Sequence, residues 1–84
     1  MMPAVATFDG IKIMFYNDEH PPPHFHAKYA EHEAMIDIGS LEVLQGSLPL
    51  PKLREVKAWA AERRQALLLA WLTCRSELPL GKIA

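Results

Sequence analysis

From Lys52 to Cys74 the chain holds neither glycine nor proline and is rich in Ala, Leu, Glu, Arg and Lys. In 84 residues, so long a helix-forming run leaves room for one helix and little more than the element it packs on. Pro51 suits the first turn, where a missing N–H is no loss. The spacing therefore predicts one helix over about 51–75. At 100° per residue, Leu53, Val56, Trp59, Ala60, Leu67, Ala70, Trp71 and Cys74 fall on one stripe, the face expected to cover the rest of the fold. Two features break the pattern. Arg63 projects into the middle of the stripe, where its charge needs a partner or a route to water. It reads either as an arginine reaching past the sheet edge or as an anion site facing the histidines. Leu68, Leu69 and Leu72 make the last turns apolar on sides that one sheet cannot cover, which points to a partner interface.

What precedes the helix has the two-residue period of strands. Ala4–Phe8 and Ile11–Tyr16 flank Asp9-Gly10, a pair suited to a hairpin turn whose two central residues both need positive φ. In the second arm Ile11, Ile13 and Phe15 share a face opposite Lys12, Met14 and Tyr16. Pro21–Pro23 cannot sit inside a sheet and reads as a stiff connector. Strand character returns at His24–Tyr29 and, after a polar turn at Ala30–Glu33, at Ala34–Ile38. Gly39-Ser40 fits a tight turn with glycine first, Leu41–Leu44 reads as the last strand, and Gln45-Gly46-Ser47 ends it. The expected fold is α+β: a four-stranded antiparallel β-meander over about 4–48, packed by one long C-terminal α-helix, with a tail at 76–84, all in one domain spanning 1–84.

His20-Pro21-Pro22-Pro23-His24-Phe25-His26 holds three of the four histidines and is the segment best suited to chemistry. Imidazoles at i and i+2 of a strand leave the same face roughly 6–7 Å apart, so His24 and His26 could converge on one divalent ion such as zinc. A stable zinc site needs a third protein ligand, and His20, Asp18, Glu19, His32 and Asp37 are the candidates. A trans polyproline run would hold the Cα of His20 about 12 Å from that of His24, near the limit for a shared ion. The same histidines could instead perform metal-free acid–base chemistry on a phosphodiester, with Lys28 or Arg63 meeting the phosphate. A third reading makes them hydrogen-bonded or solvent-facing strand residues with no chemical role. There is no glycine-rich phosphate loop, no Gly-x-Ser-x-Gly elbow and no Cys-x-x-Cys pair, and Cys74 lies on the apolar stripe as a core residue.

Composition narrows the class further. Nine Lys and Arg against ten Asp and Glu give a net charge of -1, which argues against direct binding to nucleic acid or to an anionic membrane. A lone cysteine fits a reducing compartment. No stretch approaches the roughly 20 apolar residues of a membrane span, and no basic segment followed by an apolar run opens the chain, so a cytoplasmic protein is expected. A domain this small buries only about 60% of its unfolded surface, so its stability should be supplemented by a metal, a second copy of itself or a protein partner.

The run Phe15-Tyr16-Asn17-Asp18-Glu19-His20-Pro21-Pro22-Pro23-His24-Phe25-His26, after Phe8-Asp9-Gly10 and before a Trp-containing helix, resembles a small bacterial family, DUF4160, whose function is unknown. The resemblance extends from about Pro3 to Trp71. Members of that family are short proteins often encoded beside a second small protein, in the manner of toxin–antitoxin pairs. The resemblance implies a protein partner, and its histidine motif falls on His20, His24 and His26. It supplies no catalytic residues. The leading expectation is a non-enzymatic interaction protein of a two-gene module that meets a second small protein, or another copy of itself, through the C-terminal helix. The alternatives are a zinc-type site on His20, His24 and His26, or a small hydrolase or ribonuclease using His24, His26 and Arg63.

Overall fold

The computed structural model describes residues 4–16 and 20–75. Five antiparallel strands, β1 (Ala4–Phe8), β2 (Ile11–Met14), β3 (His24–Tyr29), β4 (His32–Asp37) and β5 (Val43–Ser47), form one sheet in sequence order. Two helices follow, α1 (Leu50–Ala61) and α2 (Arg64–Arg75). The α+β meander is as the periodicity predicts, but both arms of the opening hairpin are strands in their own right, so there are five strands instead of four. The single long helix is two.

The helix breaks where its apolar stripe has a gap. Between Ala60 and Leu67 the stripe position falls to Arg63, flanked by Glu62 and Arg64, so a straight helix would drive a guanidinium into the core. The chain leaves helical geometry at Glu62 and Arg63 instead, and the Arg63 N–H donates to the carbonyl of Ala60 at 2.9 Å. The Arg63 Nη1 then donates to the carbonyl of Trp59 at 2.9 Å, and its guanidinium lies 5.2 Å from the centre of the Trp59 ring. The rest of the stripe performs as its spacing requires. Val56, Ala60, Leu67, Ala70, Trp71 and Cys74 are buried, and Leu53 and Trp59 pack at the margin.

These residues cover the sheet face formed by Val5, Ile11, Ile13, Phe15, Phe25, Ala27, Ala34 and Ile36. Register follows from the turns. Asp9 and Gly10 both take positive φ, 51° and 78°, as their hairpin demands, and pair Phe8 with Ile11. The β3–β4 turn is tighter than its polar composition suggests. Only Ala30 and Glu31 make it, Ala30 taking the left-handed conformation, and His32 and Glu33 already belong to β4. In the β4–β5 loop the left-handed residue is the buried Leu41, not Gly39. The Asp37 carboxylate accepts from the Ser40 N–H at 2.8 Å and the Leu41 N–H closes on the Asp37 carbonyl, so side-chain capping sets this loop where a glycine-first turn was expected. Strand β5 accordingly starts at Val43 and runs through Gln45–Ser47, the residues expected to end it.

The first hairpin is tied to α1 by a surface cluster. Lys52 Nζ lies 3.0 Å from Asp9 Oδ2 and 3.7 Å from Glu55, above the Tyr29 ring. A shared hydrogen bond with Glu55 and then the Lys52 ammonium hold the Asp9 carboxyl below its usual range, while that same hydrogen bond, with partial desolvation, pushes Glu55 up.

Candidate functional site

Alternation along β3 puts Phe25 and Ala27 into the core and His24 and His26 on the opposite face, as their spacing predicts. Their ring centroids are 5.4 Å apart, in an edge-on arrangement at 70°. Neither ring is a solvent-facing strand residue: His24 is 3% exposed and His26 6%. His24 lies at the open end of its strand, where its ring meets that of Trp71 from α2 at 4.9 Å.

Each imidazole is oriented through Nδ1. The His24 Nδ1 is 2.7 Å from the carbonyl oxygen of Pro22, which can only accept, so that nitrogen carries the proton. The His26 Nδ1 is 3.2 Å from Glu33 Oε2, and the Tyr16 hydroxyl donates to the same oxygen at 2.8 Å while the Tyr16 ring tilts over that of His26 at 4.1 Å. With Nδ1 as the donor in both rings, the neutral tautomer has its lone pair on Nε2, the form in which histidine binds a metal or accepts a proton. Beside them a concavity of about 270 Å³ opens on the outer face of the sheet, lined by His26, Glu33, Met35, Gln45 and Gly46.

Glu33 and Tyr16 are the site residues that sequence reading misses. The signal for Glu33 is the turn length. A two-residue turn at Ala30-Glu31 pairs Lys28 with Glu33 and His26 with Met35, which sets Glu33 diagonally beside His26. Assigning Glu33 to the turn hides that neighbour. Tyr16 follows from β2, whose Met14 pairs with His26 and whose outer-face alternation continues to Tyr16.

The other candidates are dispersed. His20 is exposed. His32 pairs with Tyr29 at the far end of the β3–β4 hairpin, 3.9 Å from Glu31. Asp37 is the register partner of His24, but its carboxylate is turned to Ser40. Arg63 is engaged with Trp59, whose ring stacks on Phe8 at the Phe8–Ile11–Tyr29 end of the sheet, five residues along β3 from His24. Asp18 and Glu19 lie outside the described residues, and among those described no three His, Cys, Asp or Glu side chains converge on one point.

Glu33 holds two donors on one oxygen, so Glu33→Gln, which removes the charge, is expected to lower stability by about 1–2 kcal/mol and to shift the ring resonances of His26. Chemical denaturation and imidazole NMR spectra check it, with Glu31→Gln, on the exposed turn, as the silent control.

On α2, Leu68, Leu69 and Leu72 are exposed by 41%, 65% and 52%, opposite the buried stripe. Next to Leu68 a second groove, of about 390 Å³, runs between α2 and the sheet end, bounded by Pro23, Ile38, Asp37, Arg64 and Gln65. No helix among the described residues is long and apolar enough to cross a membrane.

No curated protein and no solved structure matches the chain. A family profile does: that of DUF4160, described as a domain of unknown function, matches residues 10–72, a span holding all five residues that line the outer-face concavity and all three exposed leucines of α2. The chain is a member of the DUF4160 family.

Proposed function

We propose that this protein acts by association, as one component of a two-gene, toxin–antitoxin-like bacterial module, and that its contact surface is the outer face of α2. The observation that supports this reading is the set of large apolar side chains at Leu68, Leu69 and Leu72, left in solvent while the other face of the same helix is fully buried. The sheet edges suit association less. Both outer strand pairs carry register shifts, at Ala4/Ala6 and at Met35/Ile36, of the kind that twists an edge away from further pairing. The test is co-purification with the small protein encoded alongside. Leu68→Glu with Leu72→Glu is expected to reduce recovery of the complex at least ten-fold while leaving the thermal midpoint of the chain itself unchanged. Undiminished recovery from the double variant sinks the reading.

A second reading, a zinc-type or hydrolytic site on the histidine segment, is favoured by the shared Nδ1–H tautomer of His24 and His26. His24 and His26 would supply two ligands or a proton-transfer pair. Metal analysis of protein prepared without a histidine tag, with melting curves in added zinc, tests it. A bound metal lost in His26→Gln supports it, and neither a bound metal nor a melting shift counts against it.

A further inference from the structure

We infer that the outer face of the sheet binds a mononucleotide whose base carries an amino group, with the base in the concavity beside Glu33 and the phosphate on Lys12 and Lys28. The inference uses neither the α2 face nor an ion at the histidines. Its first observation is a like-charge pair. Lys12 on β2 and Lys28 on β3 are register partners on the outer face and both are exposed, so their Cβ atoms stand about 4.5–5.5 Å apart and two ammonium groups share one patch. Like charges placed directly opposite each other cost stability. The carboxylate placed to offset them is Glu33, the register partner of Lys28 on its other side, but its Oε2 is committed to His26 and Tyr16. Among the described residues no acid forms an ion pair with Lys12 or Lys28. An anion from outside the chain completes this arrangement, and a doubly charged phosphate monoester suits two adjacent ammonium groups better than a singly charged group does.

The second observation lies next to the pair. The concavity is bounded by Glu33 and by His26, Met35 and Gln45, which are register neighbours in the adjacent outer-face row across β3, β4 and β5. Met35 lines it with a soft apolar side chain that suits the face of a planar ring. Its polar groups include the second Glu33 oxygen, to which no described residue donates, and the exposed side-chain amide of Gln45. A carboxylate oxygen only accepts and an amide both donates and accepts, which complements a base edge presenting an amino group beside a ring nitrogen, as on adenine or cytosine. Uracil has carbonyls on both sides of its one edge N–H and would set a carbonyl against the carboxylate. At about 270 Å³ the concavity lies just below the range of about 300–1,000 Å³ that encloses a drug-sized ligand, so it admits one planar ring and leaves sugar and phosphate outside. Lys28 stands one strand from Glu33 and Lys12 two, about 5 and 10 Å, a span that a ribose bridges between base and phosphate. A net charge of -1 gives the chain no general attraction for polyanions, which fits a single phosphate group and not a nucleic-acid backbone.

The test is a titration of the full chain, followed by backbone-amide NMR shifts, with AMP, UMP, adenosine and inorganic phosphate, each to about 10 mM, roughly ten times a millimolar Kd. AMP is expected to shift the amides of Lys12, Lys28, Glu33 and Gln45 with a Kd below about 1 mM, and the other three to bind at least about five-fold more weakly. Lys12→Gln with Lys28→Gln should weaken AMP at least about ten-fold and leave adenosine unchanged. Gln45→Ala should erase the preference for AMP over UMP. All three positions are exposed, so the variants keep the fold, which amide spectra away from the site verify. No shift with AMP overturns the inference. So does equal binding of AMP, UMP and inorganic phosphate, which reduces the lysines to a plain anion patch, and so does AMP binding that survives the loss of both lysines, which places the nucleotide elsewhere.

Discussion

Gly46→Ala is expected to lower the stability of this protein by about 2–5 kcal/mol, because it combines an unfavourable backbone conformation with a forbidden contact. Gly46 sits at φ +80°, where an L side chain costs about 1–2 kcal/mol. A Cβ there would also overlap the backbone carbonyl of Glu33, a group fixed by strand pairing and unable to swing aside. Overpacking of this kind adds roughly 1–3 kcal/mol. For a domain of this size each kcal/mol moves the melting midpoint by about 4–8 °C, so a loss of at least about 8 °C, and up to about 40 °C, in a thermal melt is expected. The shift should reach the site, since Glu33 orients His26 and receives Tyr16. Gly39→Ala is the contrasting case. Gly39 has no left-handed φ, and a Cβ there would stand 3.3 Å from the Asp37 Oδ1 that accepts from Ser40, a side-chain atom that need yield only a few tenths of an ångström and can keep that bond, so the replacement should cost well under what Gly46→Ala does. A small loss at Gly46, or a large one at Gly39, overturns this account.

That contrast shows how far the sequence carries the fold. Asp9-Gly10 is legible because both positive φ values fall on residues that tolerate them, and the turn then sets the hairpin register. The Gly39-Ser40 pair misleads for an equally physical reason. The Asp37 side chain supplies the capping bond that a glycine turn would have made unnecessary, and the left-handed strain moves to Leu41, where burial offsets it. The helix break is half visible. Arg63 stands out as a charge in an apolar stripe, but periodicity alone does not say whether the arginine reaches past an intact helix or the helix yields. The carbonyl of Trp59, which only the break makes available, decides it.

The site is legible in part. The shared face of His24 and His26 is fixed by alternation, which needs no knowledge of turns. Glu33 is a neighbour in space rather than in sequence, and one residue of error in the turn at Ala30 is enough to remove it. Arg63 stands out in the sequence by its charge and by its place on a helix facing the sheet. Its engagement with Trp59 puts it at the end of the sheet away from His24.

Trp71→Ala is expected to have the largest effect of any single core replacement. The ring is 2% exposed and joins two parts of the molecule: it fills the space between α2 and the sheet core, and it covers His24. Removing an aromatic side chain from such a position costs about 3–5 kcal/mol, through lost transfer energy and the cavity left behind. A chain of 84 residues has roughly 4–12 kcal/mol of stability in all, so Trp71→Ala should melt at or near room temperature, or fold only with a partner bound. Trp71→Phe retains most of the apolar volume and should cost about 1–2 kcal/mol, leaving a folded protein in which the cover of His24 is thinned. Equilibrium denaturation of both variants, with NMR of the His24 ring in Trp71→Phe, separates the two roles. A His24 resonance unmoved by Trp71→Phe would mean that the indole serves the core alone. A moved resonance with little loss of stability shows that the histidine environment is built from the helical layer as well as from the sheet, and any partner or metal that displaces α2 would then be felt at His24.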